Sequence, residues 1–548
     1  MKVQHIFFLS IHTHPGPEAV PLASACLASH VRATFSSLSI LEAFVHENVD
    51  SIIQRLEQEI RDRRLDASGT GTIIALSLYS WNRVLSIELG RQCRGRFPKA
   101  VLVAGGPEVS ARPEGLALSS GGPFHALFQG EGESVFGEFL MLLEKTPETL
   151  PELWQGGAED LTSLESPWLN DLLSGRSGAL WELARGCPYA CSYCYESKGN
   201  HRLRYLSDER FHKELAWFTD HRVPSVFVLD PTFNAQNKRA VEILDALIAA
   251  NTGIHWHFEV RAELLTREQA QRFAQLGASL QIGLQTANPE VSKRVGRPLN
   301  PGKFRQKIDL LNQEGVVFGL DLMYGLPTDT LDGFMDSIDF ALSLYPNHLD
   351  IFRLSVLPGT QLAEEASQYG LVSASEPPYE LISSNSFSKN AMEQAAHLAR
   401  AVDFFYNSGR AVPWFNQVLY PLKELPSRFL WSFAKFMDGK CKDWDSCLDP
   451  SYPASRDALL LEYLDTRYEK KKLEYLLPAV WDVVRFHSAW ARAQAEGIST
   501  IIDCNYDPDQ LLSGEIQDLE EFCSLADFQP CRIEVCPGAT GPEVVFIA

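Results

Sequence analysis

The chain has 548 residues, enough for three to four domains at roughly 150 residues each. Lys plus Arg number 49 against 70 Asp plus Glu, and the net charge of −21 opposes broad electrostatic binding to phosphate backbones. Hydrophobic residues at 45% and charged residues at 22% are ordinary for a globular protein, and no apolar run approaches the roughly 18 residues that span a bilayer.

At the start, Ile6 to Ile11 is too short for a signal-peptide core and reads as a first buried strand. A cytoplasmic protein with its cysteines mostly reduced is the expectation. Through residues 1–145 strand-like and helix-like segments alternate. IIALSLYS (73–80), AVLVAGGPE (100–108) and HALFQGEGE (125–133) are apolar runs ending in small or turn residues, as buried parallel strands do. They predict an open, doubly wound sheet with ligands at the carboxyl ends of its strands. Residues 146–176, rich in Pro, Gly and acids, read as a linker.

From 177 to 390 a second alternating region carries the strand candidates ALWELARG, SVFVLD, IHWHFEVR, LQIGLQ, VFGLDLMYG and LDIFRLSVLPG, with helical stretches between them. Such repetition predicts a parallel barrel of six strand–helix units, complete or partial, with chemistry at the strand ends. Residues 391–548 turn mostly helical, with aromatics at helical spacing that read as core, and the last fifty residues suggest a small strand-containing cap. The predicted fold is therefore α/β: a doubly wound parallel sheet, a partial (β/α)6 TIM-like barrel and a mostly helical C-terminal extension.

The chemistry concentrates in ARGCPYACSYCYE, directly after the first predicted barrel strand. Cys187, Cys191 and Cys194, spaced C-x3-C-x2-C, can hold three irons of a [4Fe–4S] cluster and leave the fourth iron without a protein ligand. A structural zinc site would call for a fourth Cys or His, and His201 is the nearest candidate. An odd total of 11 cysteines argues against a disulfide framework. Cys441, Cys447, Cys504, Cys523, Cys531 and Cys536, the six beyond position 440, match no compact ligand motif.

Over residues 177–360 this motif, its place after a barrel strand and the aromatic Tyr193 resemble the radical S-adenosylmethionine (SAM) superfamily. The resemblance implies that SAM chelates the open iron and is cleaved reductively to a 5′-deoxyadenosyl radical, with Tyr193 near the adenine. It places Asp230 and Thr232 of LDPTFN where the family often has a Gly-Gly-Glu segment for the SAM amino group. Glu259 and Arg261 fall where the SAM carboxylate and ribose are contacted, and Gln285, Thr286, Asn288, Gly325 and Pro327 fall at the next two strand ends.

The first region resembles the Rossmann-like cobalamin-binding domain that precedes many such barrels. The residues carrying this likeness are Ser77, Tyr79, Trp81 and Asn82 in SLYSWN; Gly105, Gly106, Pro107 and Glu108 in GGPEVS; and Gln129, Gly130, Glu131, Gly132 and Glu133 in QGEGES. The glycines would let the backbone approach a flat ligand, and Glu131 and Glu133 would accept from amide side chains. No Asp-x-His-x-x-Gly is present, which implies cobalamin without a protein lower ligand; His12 and His14 lie near the expected corrin. The transfer-RNA methylthiotransferases share the layout but carry three cysteines in their first domain, where this chain has only Cys26 and Cys93. PPYELISSNSFS (377–388) and DFFYNSG (403–409) resemble an extension of unassigned role in cobalamin-binding members.

The expected function is a cobalamin-dependent radical SAM methyltransferase acting on an unactivated carbon. The alternatives are an oxidative cyclase or rearrangement enzyme with the same cofactors, or a non-catalytic sensor or scaffold. The expected partners are a small-molecule, lipid, tetrapyrrole or peptide substrate and a reductant such as flavodoxin or ferredoxin. Nucleic acid is not expected.

Overall fold

The computed structural model describes residues 2–196, 201–440, 442–448, 455–511, 518–539 and 541–547. Its first sheet has six parallel strands, β1 His5–His12, β2 Leu38–Phe44, β3 Thr72–Ser77, β4 Val101–Gly105, β5 Ala126–Gln129 and β6 Leu153–Gln155. Their order is β2-β1-β3-β4-β5-β6, the doubly wound arrangement whose direction reverses between β1 and β3. β1 is buried almost throughout because helices cover both faces, so its run HIFFLSIH needs no alternation. Separate cores lie on the two faces, one around Phe7, Leu56 and Phe124, the other around Phe8, Phe136 and Trp154.

The second sheet is also wholly parallel and runs in simple chain order: Ala179–Trp181, Ser225–Val228, His255–Val260, Ser279–Gln285, Val317–Tyr324 and His348–Arg353. We call these the first to sixth barrel strands. The sixth does not pair with the first, so the barrel is partial, as expected. Within each strand the side chains alternate. In the third, Trp256, Phe258 and Val260 face the covering helices, while His255, His257 and Glu259 face inward.

An open barrel leaves an edge of unpaired backbone groups. At the sixth strand Asn407 fills that place: its amide accepts from Leu349 N and donates to Leu349 O, both at 3.0 Å. Asn407 ends a π-helical turn (Asp403–Asn407) in which Phe404, Phe405 and Tyr406 are buried, so this aromatic run is core. One hydrophobic core continues from the barrel into the helices after Lys389, joining Trp181, Phe258 and Leu322 to Phe429, Tyr463 and Val480. The boundary expected at 390/391 therefore falls inside continuous packing. The cap is a three-stranded antiparallel sheet of Thr500–Cys504, Cys531–Pro537 and Pro542–Ile547.

Two elements differ from the sequence reading. The 146–176 stretch contributes β6 to the first sheet and buries Leu161, Leu164, Trp168 and Leu173 in the barrel core. Its apolar residues are too widely spaced for either periodic pattern, yet each finds a tertiary pocket. β2 (LSILEAF) is an edge strand, half-buried at most positions, and so lacks the continuous apolar signature.

Candidate functional site: the cysteine loop and the two sheet mouths

The loop 186–203 leaves the barrel through a two-stranded antiparallel stem, Ala184–Arg185 against Arg204–Tyr205. Within it Cys187 and Cys191 are buried and Cys194 is half-buried, none of the three in a disulfide. Backbone bonds fix the loop without using the thiols: Ser192 N donates to Val295 O (3.0 Å), Leu362 N to Ser192 O (2.8 Å) and Cys194 N to Cys191 O (3.1 Å). Gly296, at φ +72°, abuts this loop so closely that a Cβ would sit 2.4 Å from Ala190 O. Burial pushes the Cys187 thiol up. His201, the nearest candidate for a fourth ligand in a zinc site, has Nδ1 3.3 Å from the Cys187 carbonyl oxygen, so that nitrogen is occupied by backbone. Residues 197–200 lie outside the described residues.

Two arginines frame the cysteines: Arg261, expected at SAM, and Arg297, which the sequence reading did not single out. Arg261 is buried with its guanidinium 3.7 Å from the centre of the Tyr189 ring. Arg297 donates to Gly283 O and interacts with Cys191 and Tyr193. Gly283 makes room for it, since a Cβ there would meet Gln285 Nε2 at 2.5 Å and Arg297 Nη2 at 3.1 Å. Tyr193 is half-buried against the barrel core, and burial raises its hydroxyl.

Glu259 and Gln285 point into the same barrel mouth. Among the described residues neither side chain makes a hydrogen bond, and Gln285 is held at φ +68° by the irregularity between Gly283 and Gln285. A glutamine in that left-handed region costs on the order of 1 kcal/mol, a cost that accompanies functional loops more often than plain ones. Glu259 is open to the barrel interior but walled by protein; burial, with Asp321 and Glu196 nearby, pushes its carboxyl up to about 7. The folded-state value lies above the unfolded one, so this group's contribution is fully present below about 4.5 and is lost as pH rises through about 7. Glu259→Gln is therefore expected to gain stability over the parent as pH rises through that window. Melting temperatures of the two proteins across it test this, and a constant difference would refute it.

Other residues expected at SAM are engaged elsewhere. Asp230 is buried and accepts from Leu183 N (2.9 Å) and Ala184 N (2.8 Å), pinning the base of the cysteine loop. Thr232 bonds the neighbouring Pro231 O (2.7 Å), Thr286 meets Ser337 (3.3 Å), and Asn288 caps helix Pro289–Arg294. Gly325 packs against Leu381 and Met392, and Pro327 is buried beside it.

At the β1/β3 reversal, Tyr79 and Trp81 stack at 4.3 Å and 7°, with Trp81 half exposed and its Nε1 donating to Ile11 O (3.1 Å). Asn82 is buried and ties Ile11 O (3.3 Å), Ser77 O (3.0 Å) and Tyr79 N (2.8 Å) together. Gly106, at φ +102°, lies against Leu78, whose carbonyl a Cβ would approach to 2.7 Å. Its freedom thus serves loop-to-loop packing; Gly105 has ordinary room. Pro107 starts helix Pro107–Ala111, and Glu108 is buried between Arg83 (3.3 Å) and the Tyr379 hydroxyl (2.7 Å). Gln129 donates to Ser110 O (3.2 Å), Gly130 N to Ser110 Oγ (2.9 Å), and Gly132 packs on Leu27. Glu131 and Glu133 accept from arginines of the cysteine-loop stem rather than standing open. His12 pairs with Glu42 (3.0 Å), which Arg176 also grips (2.5 Å), while His14 is exposed beside Thr13. Burial alone would raise Glu42, but these two partners draw it down to about 2.

Compared with known proteins, residues 181–341 match the Radical SAM superfamily model. The chain is 27% identical over 389 residues to the cobalamin-dependent radical SAM methyltransferase TokK of Streptomyces tokunonensis, covering 61% of this chain and 57% of TokK. It is 27% identical over 338 residues to the 2-(S-pantetheinyl)-carbapenam-3-carboxylate methyltransferase of Streptantibioticus cattleyicolor, covering 55% and 49%. The matches thus span about half the length of these relatives. The fold resembles that of the cobalamin-dependent SAM radical enzyme OxsB, with a TM-score of 0.58 at 13% identity over 95% of this chain and 83% of OxsB.

Proposed function

We propose that this chain, which carries a radical SAM domain over residues 181–341, is a cobalamin-dependent radical SAM methyltransferase acting on a small molecule. What carries the reading is the three-thiol loop meeting the strand ends of a partial parallel barrel, where Arg297 joins Cys191 to Gly283 and Glu196 of the loop lies near Glu259. The donor chemistry suits a cluster, with three thiols within eight residues, although among the described residues no three Cys, His, Asp or Glu side chains converge as metal ligands; His201 Nδ1 is on backbone. For a corrin, the exposed Trp81 face at the β1/β3 reversal is the fitting surface, at the place where doubly wound sheets take ligands. When bound, these groups supply reductive SAM cleavage to a 5′-deoxyadenosyl radical and a carrier for a methyl group.

Within that reading Cys187, Cys191 and Cys194 hold the cluster, with Arg297 and the Tyr189–Arg261 stack fixing the loop around it. Glu259 and Gln285, which lack partners among the described residues, accept from and donate to SAM. Asp230 acts one layer back, by holding Leu183 and Ala184. The relatives' names support methyl transfer, and a flavodoxin or ferredoxin would supply the electron.

The test is anaerobic purification, reconstitution with iron, sulfide and hydroxocobalamin, and measurement of metal content and corrin absorbance. About four irons and one corrin per chain are expected, followed by 5′-deoxyadenosine on adding SAM and reductant. Iron without corrin would remove the cobalamin part, and zinc without iron would overturn the whole.

A further inference from the structure

The stem of the cysteine loop has an unusual charge arrangement. Arg185 and Arg204 are direct cross-strand partners, and each side chain is only 16% exposed. Like charges facing each other across a strand pair are destabilising, more so where water is scarce. The barrel places Glu182 on Arg185 Nε (2.9 Å), but among the described residues no barrel carboxylate lies within ion-pair distance of Arg204. The remaining neutralising groups come from the first sheet's GEGE turn. Glu131 grips Arg204 with both carboxylate oxygens and accepts from Arg185 Nη1 at 3.1 Å, so one carboxylate bridges the two guanidiniums. Glu133 takes Arg185 Nη2 at 2.7 Å. Glu131 is itself fixed by Glu159 N at 3.0 Å, and Arg204 donates to Glu159 O at 2.7 Å.

We propose that Glu131 is a positioning residue whose bridge across Arg185 and Arg204 closes the stem of the cysteine loop, so that the first sheet region holds the three thiols in place. Closure of the stem stands on this geometry alone; its consequence for a bound cluster rests on the function proposed above. The turn read from sequence as a cofactor contact therefore acts on the neighbouring barrel.

The test alkylates the full-length apo chain with iodoacetamide and maps each cysteine by peptide mass spectrometry, with buried Cys93 as the internal reference. In Glu131→Gln, Cys187, Cys191 and Cys194 are expected to react about tenfold faster than in the parent, with Cys93 unchanged. Removing the repulsion as well, in Glu131→Gln with Arg204→Gln, should return the rates to within about twofold of the parent. Parent-like rates in the single variant would overturn the proposal, as would a double variant as fast as the single one. Should Cys93 also react faster in Glu131→Gln, Arg204→Gln alone decides. It keeps Glu131 on Arg185 and leaves one guanidinium, so near-parent rates support the bridge and a large increase overturns it. Iron binding separates this result from the functional reading. A parent that takes up no iron removes the cluster but leaves the thiol rates to judge the stem. A parent that holds iron should lose at least about half of it on Glu131→Gln.

Discussion

Replacing Cys187, Cys191 and Cys194 together by alanine is expected to abolish iron uptake while leaving the chain folded and its corrin content unchanged. The fold should survive because the loop is held by backbone groups, through Ser192 to Val295 and Leu362 to Ser192. Each lost thiol leaves only a small void, at a cost of about 1 kcal/mol. Corrin should be retained because the Tyr79–Trp81 surface belongs to the other sheet and uses none of these thiols. The measurements are iron per chain, the corrin absorbance and 5′-deoxyadenosine after addition of SAM and reductant, the last expected to fall to the level of a blank. Iron retained in the triple variant would move the cluster elsewhere, first to the cap, where Cys504 stands opposite Cys531 and Cys523 lies 3.7 Å from the Tyr506 hydroxyl.

What the sequence discloses here follows from how local each signal is. The six barrel strands were readable because each is a short apolar or alternating run of the length a strand needs, and the cysteine motif because its ligands lie within eight residues. The roles of individual polar residues were much less readable. LDPTFN has the right position for a cofactor contact, but Asp230 finds two backbone N–H groups of the cysteine-loop stem 46 and 47 residues earlier. GEGE looks like a ligand-binding turn, and its glutamates reach arginines 52 to 73 residues later. In both cases the residue type announces a polar contact, and only tertiary structure selects the partner. Arg297 shows the reverse. Nothing near GRPLN suggests chemistry, yet the turn at Gly296 brings the guanidinium to Cys191 and Tyr193.

The first barrel strand is the weakest element by its own resources, with three residues paired on one side only. Its hold on the rest of the barrel depends on Glu214, which is fully buried on helix Asp208–Asp220. That carboxylate accepts from Trp181 Nε1 (2.6 Å) on the strand, from Arg210 Nε (2.8 Å) and from Ser166 Oγ; Ser166 in turn takes Trp168 N (3.2 Å). Glu214→Leu would leave the buried Trp181 indole N–H without its acceptor and Arg210 Nε without its carboxylate, with only Arg210 Nη1 still on Leu164 O (2.9 Å), and is expected to cost about 3–5 kcal/mol. Glu214→Gln keeps one acceptor oxygen and should cost about 1–2 kcal/mol. Urea midpoints for the two variants test the difference, and equal values would show that side-chain volume rather than charge holds the strand. The effect should reach the cysteines, because Trp181 precedes Cys187 by six residues and Leu183 and Ala184 between them are the groups pinned by Asp230. Glu214→Leu is accordingly expected to lower iron retention in mild urea, at concentrations where the first sheet remains folded and corrin stays bound. Coincident loss of iron and corrin would mean that the strand does not open separately.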